Sequence, residues 1–126
     1  MTVKFKFPAI IFYVDKVQKG SGYVVQGKAM AFCIVIGNAY KLDKGLFAHE
    51  YTHVKEWWLR GLLIHNILYG ALRSYRLHSE CRAYYQQWLL GEQTELKKED
   101  FRDRIWLFYN LKYPKEHIEK VFYSYF

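Results

Sequence analysis

Residues 49 to 53 read His-Glu-Tyr-Thr-His, and this run commits the middle of the chain to a helix. Phe47, Tyr51, Val54 and Trp58 recur around it at helical spacing, Asp43 is placed to cap the N-terminus, and Gly61 stands just past the end. On such a helix, histidines four positions apart project from one face, about one turn from each other. That spacing lets two imidazoles grip one metal ion from a single rigid turn, with little chain entropy lost as they converge. Zinc takes neutral imidazole nitrogen at roughly 2.0 to 2.1 Å. Glu50 is rotated to the flank of the same face. From there a carboxylate reaches a water polarised by the metal without binding the metal itself, and can act as general base.

A zinc site that does chemistry needs a third protein ligand and one open position. Glu56 and Leu59 stand where the glycine and histidine of the longer HExxHxxGxxH motif would fall, so that extension is excluded. Glu80 is the better candidate. It falls in a second predicted helix that begins between Tyr69 and Arg76 and runs to about Leu90, with Leu77, Cys81, Tyr84 and Trp88 as its apolar stripe ahead of Gly91. A carboxylate on or beside a buried face needs a partner. A divalent cation would favour its ionised form, and a salt bridge to Arg76 or Arg73 on the same helix is the alternative.

Ahead of the motif, residues 9 to 14 and 29 to 36 are short apolar runs that read as strands of a small sheet, separated by turn-forming residues 19 to 22. Residues 23 to 26 offer a further strand, and Gly37-Asn38 a turn that ends the second run. Residues 61 to 70 are apolar and read either as a loop packed on the core or as a short helix. Thr94 opens a third helix that Asn110 ends, and Pro114 suits the first turn of a short C-terminal helix reaching toward Tyr125. The expected architecture is α+β: a small N-terminal sheet, the motif helix, and three further helices in one domain over residues 1–126.

Composition narrows the partners. The chain has 126 residues, 52% hydrophobic and 20% aromatic, enough for one core and too few for a second domain. Its net charge of +7 is spread along the sequence, which favours acidic partners in general. Aromatic residues interleaved with basic ones would suit stacking on single-stranded nucleic acid. Most of them fall at helical spacing or in apolar runs, however, so a core role is expected and nucleic acid is not. Cys33 and Cys81 sit in apolar stretches and read as thiols. No stretch has the roughly 20 apolar residues of a membrane span, and residues 9 to 14 are too short for a secretory signal. The expected location is the cytoplasm, with release through lysis or a holin left open.

The pieces LFAHEYTHVKEW and SECRAYYQQ resemble the two signature helices of gluzincin metallopeptidases, in which HExxH is followed by a glutamate on a later helix. The resemblance spans residues 29 to 90 and extends to reduced versions found among small phage and bacterial proteins. It implies a zincin-like fold with zinc on His49, His53 and Glu80, Glu50 as base, and the 29 to 36 run as an edge strand that pairs with an extended substrate. The bond cleaved would belong to a protein, a peptide or a peptidoglycan cross-link. At one position the sequence departs from that pattern. Many gluzincins carry an aspartate four residues after the ligand glutamate to orient the first histidine, and here Tyr84 stands there. Its hydroxyl could accept the histidine N–H or face the oxyanion, without supplying a carboxylate's charge. Tyr75, His78, Tyr84 and Arg82 are all candidates for oxyanion donor. His65 and His117 read as ordinary surface or core-edge residues. The rival expectation is a binding or inhibitory module that keeps the framework and acts by occupying a partner.

Overall fold

A computed structural model describes residues 2–18 and 24–126. The expected turn at 19 to 22, and Tyr23, lie outside the described residues. Among the described residues six short strands come first: β1 (Thr2–Lys6), β2 (Ala9–Val14), β3 (Val17–Gln18), β4 (Val24–Val25), β5 (Gly27–Ala29) and β6 (Cys33–Gly37). Five helices follow: α1 (Lys44–Leu59), α2 (Leu62–Ala71), α3 (Arg73–Leu90), α4 (Glu95–Phe108) and α5 (Lys115–Tyr123). The α+β order is therefore as expected, with one helix more than the sequence suggested.

Four strands form one sheet in the order β1-β2-β6-β5, with β2 and β6 parallel and the other two pairs antiparallel. The run 29 to 36 is not a single strand. Ala29 ends β5, the chain reverses through residues 30 to 32 with the Met30 N–H on the Cys33 carbonyl at 2.8 Å, and β6 returns between β5 and β2. Both backbone edges of β6 are thus paired within the sheet; β1 and β5 are its edge strands, and β5 is the one against α1. Apolarity marked the interior strand here, because an interior strand has neighbours on both sides to bury it.

Residues 61 to 70 become α2 because Gly61, at φ +85°, supplies the left-handed turn out of α1 at no steric cost. Leu72, extended at φ −110° and ψ 109°, separates α2 from α3. Arg76 secures this break by donating to the carbonyls of Tyr69 at 2.8 Å and Tyr109 at 3.0 Å. Asp43 caps α1 through the Leu46 N–H at 2.9 Å, and Thr94 caps α4 through that of Lys97 at 3.2 Å.

The core has two parts. Ala9, Ile11, Tyr13, Ile34 and Ile36 on one face of the sheet pack on Leu46 and Val54 of α1. Leu77, Cys81 and Tyr84 of α3 pack on Phe101, Ile105, Ile118 and Phe122 from α4 and α5. The apolar C-terminus docks on this second part, with the Phe126 ring 5.2 Å from Tyr85 and 5.4 Å from Trp88. No helix among the described residues is long and apolar enough to cross a membrane.

α1 and α3 join the two parts, and their approach depends on Gly45. A Cβ there would stand 2.7 Å from the Gln87 carbonyl oxygen, a backbone atom that cannot step aside. Alanine in place of a helical glycine gains up to about 1 kcal/mol of helix propensity, whereas overpacking a close helix contact costs about 1–3 kcal/mol. Gly45→Ala is therefore expected to lower the denaturation midpoint despite better propensity; a raised midpoint in chemical denaturation would show that the helices separate freely.

Candidate metal centre

The seam between α1 and α3 is polar. His49 and His53 point from α1 toward Glu80 on α3, whose side chain is fully enclosed at 2 % exposure. His49 Nε2 lies 3.4 Å from Glu80 Oε1, and His53 Nε2 lies 3.2 Å from Glu80 Oε2. One donor atom from each of the three residues falls within 4.8 Å of the others. Two ligands at about 2.1 Å from a tetrahedral zinc stand roughly 3.4 Å apart. The two separations from Glu80 match that span, and two imidazoles with one carboxylate are a donor set zinc accepts. The residues therefore fit a single cation held among them.

Without a metal the cluster is held by charge. Burial opposes an imidazolium at His53, but the Glu80 carboxylate outweighs it through charge and hydrogen bonding, and the His53 pKa is pushed up to about 9. Burial likewise opposes the Glu80 carboxylate, and His53 and His49 together hold its pKa well below the usual range. Tyr69 of α2 donates its hydroxyl to Glu80 Oε2. Burial, with Glu80 beside it, keeps the Tyr69 phenol far above its ordinary pKa and so a donor.

The surrounding shell differs from the sequence expectation. The Ser79 hydroxyl reaches His53 Nδ1 at 3.3 Å, fixing that ring. His49 Nδ1 has no hydrogen-bond partner among the described residues. The Tyr84 ring meets His49 edge to face at 4.3 Å between centroids, and its hydroxyl extends past to the Tyr109 hydroxyl at 3.0 Å. Tyr84 thus packs on His49 and does not accept its N–H, because the phenol carries its oxygen beyond the imidazole edge that a shorter side chain would meet.

Of the other oxyanion candidates, Tyr75 bonds His65 Nδ1 at 2.7 Å, His78 bonds the Tyr125 hydroxyl, and Arg82 pairs with Glu56 at 3.0 Å. None of these three lines the cavity beside the metal cluster. His65, in contrast, is buried and does line it, together with Tyr69 and Tyr109. No motif announces these side chains. The one available signal was the four-residue spacing of His65 and Tyr69, which places both on one face if residues 61 to 70 are helical.

Glu50 is buried at the join of two cavities of about 180 and 410 Å³, both lined by Gly27, His49, Glu50 and Tyr109. Glu50 therefore forms part of the wall of both cavities. Gly27 of β5 lies directly against it: a Cβ at Gly27 would be 3.4 Å from Glu50 Oε1. The Gly37 N–H donates to the Gln26 carbonyl at 2.9 Å, and Met30 and Cys33 bond likewise. Hydrogen-bonded and non-bonded pairs alternate along an antiparallel ladder. Gly27 and Ala29 consequently turn their N–H and C=O groups away from β6, toward the outer edge of the sheet.

In comparisons with known proteins, no family model, no curated protein and no solved structure matches the chain.

The charge arrangement gives the metal site a pH signature. A group whose folded pKa of about 9 exceeds its ordinary 6.5 contributes stability that is complete below about 6.5 and is lost as pH rises through 9. A metal must displace the same proton. Between these limits the melting temperature of metal-free protein should fall with pH, while the stabilisation on adding zinc should grow. His53→Ala should remove both trends. Calorimetric melts with and without zinc across that range test this, and a zinc effect independent of pH would contradict it.

Proposed function

We propose that this chain is a zinc-dependent metallopeptidase of zincin-like design, in which His49, His53 and Glu80 hold the metal and Glu50 is the general base. The observation that carries this reading is the position of Glu50: beside the three ligands, at the join of the two cavities, and under the edge strand β5. When bound, zinc would supply Lewis acidity, lowering the pKa of water and polarising a carbonyl.

The protein's own groups account for the remaining requirements. Outward-facing N–H and C=O groups of Gly27 and Ala29 offer main-chain hydrogen bonds to an extended peptide, which fixes its direction and depth without demanding a particular sequence. Glu50, enclosed and close to that strand, takes a proton from the attacking water and returns it to the leaving amine. Tyr69 is a neutral donor beside the ligand carboxylate and can turn toward an oxyanion developing in the groove. His65, whose pKa is lowered by burial, lines the same cavity in its neutral form. Cavities on two sides of Glu50 leave room for substrate on either side of the cleaved bond. A peptidoglycan cross-link contains the same class of bond and belongs to the same test.

Glu50→Gln should keep stoichiometric zinc and lower hydrolysis of unfolded protein or purified sacculi by about 10²- to 10⁴-fold, read by mass analysis of the products. Tyr69→Phe should reduce kcat more than it changes KM. Undiminished hydrolysis by Glu50→Gln, with zinc present, would remove Glu50 from the mechanism.

A further inference from the structure

We infer that the outer face of α2, with the end of α1 and the turn after β5, is a docking surface for an anionic lipid bilayer. α2 is two-sided. His65 and Tyr69 line the cleft, while Leu63, Ile64 and Ile67 are 70%, 57% and 56% exposed. Leu59, at the end of α1, is 83% exposed. Its neighbour Trp58 is anchored: the indole N–H donates to the Ala31 carbonyl at 2.8 Å, and the ring meets exposed Phe32 edge to face at 5.4 Å. That contact ties residues 30 to 32 to the end of α1, so the apolar side chains of both stretches belong to one region. Single exposed leucines are ordinary on any surface. Large apolar side chains gathered on one short helix and its approaches mark a binding face.

Charge selects the occupant. No Asp or Glu occurs between Glu56 and Glu80, nor between Asp15 and Asp43, the two stretches that build this region. Lys55 and Arg60, both exposed, flank Leu59. A second copy of the chain would bring cations against cations, in a molecule already carrying +7. A protein partner usually anchors a side chain in a pocket, and neither cavity beside Glu50 nor the one between α1 and α4 takes any lining from Leu59, Leu63, Ile64 or Ile67. An aliphatic helix face in an acid-free stretch, following directly on exposed Leu59 and flanked by cations, matches the boundary between anionic headgroups and acyl chains. α2 has 10 residues and lies in the plane of such a surface. Since α2 also lines the cleft, docking brings the groove to the lipid. Under the peptidase reading, on which this last step rests, the substrate is a chain close to a membrane.

Co-sedimentation of the whole chain with vesicles tests the docking itself and needs no catalytic activity. The protein should bind vesicles of equal parts phosphatidylglycerol and phosphatidylcholine, bind pure phosphatidylcholine far less, and release as salt rises. Ile64→Glu with Ile67→Glu should weaken binding by roughly tenfold per substitution, while the exposed Leu96→Glu on α4 should leave it unchanged. Far-UV circular dichroism and zinc content check that the variants fold. The inference is overturned if the anionic vesicles do not bind, or if the double variant binds them as well as the parent. It is also overturned if light scattering finds a dimer that the double variant dissociates without any vesicle binding, which would assign the face to a second copy.

Discussion

The seam between α1 and α3 depends on one buried carboxylate. An ionised group enclosed as completely as Glu80 is costly unless it is answered by opposite charge and hydrogen bonds. Two imidazoles from α1 and the Tyr69 hydroxyl from α2 provide both. Three helices are thereby committed to one point, and the packing around them follows. Gly45 allows α1 to approach α3, Arg76 closes the break between α2 and α3, and the sheet fills the remaining side of α1. Removing Glu80 would leave two enclosed imidazoles facing a void, so the residue that best fits a metal ligand also organises the fold.

The sequence disclosed those parts of the site that sit on regular helices. His49, Glu50 and His53 share one helix whose period is plain, and Glu80 interrupts an apolar stripe. Glu56 was not read as buried, although positions 49, 53 and 56 share a face, and the structure encloses it against Arg82. What stayed hidden depended on contacts between segments. Tyr69 and His65 acquire meaning only once Gly61 turns α2 back onto α3. The edge strand was misplaced because hydrophobicity reports how many neighbours a strand has: β6 is apolar and interior, whereas β5, the strand beside Glu50, is Gly-Lys-Ala and carries little signal. The role of Tyr84 could not be read from spacing either, because the reach of a phenol decides whether its oxygen meets the imidazole or passes it.

That substitution has a physical consequence. An aspartate hydrogen-bonded to His49 would fix its tautomer and raise its basicity, while Tyr84 gives only an edge-to-face contact. His49 Nδ1 is left without a partner among the described residues, and the ring's orientation rests on packing. His53 is the better supported imidazole, with Ser79 on its second nitrogen. The two imidazoles are thus unequally held.

The balance of charge can be followed through the buried groups. Glu50, Glu56 and Glu80 are all enclosed and would carry three negative charges when ionised. Arg82 answers Glu56, and an imidazolium at His53 answers Glu80. Exchanging the His53 proton for a divalent cation raises the positive charge of this group from two to three. That added charge would act beside Glu50, which lies under the backbone of Gly27 where the two cavities meet. With Tyr84 in place of an aspartate there is one carboxylate fewer beside His49, so a cation held by these residues would have more of its charge left to act on Glu50.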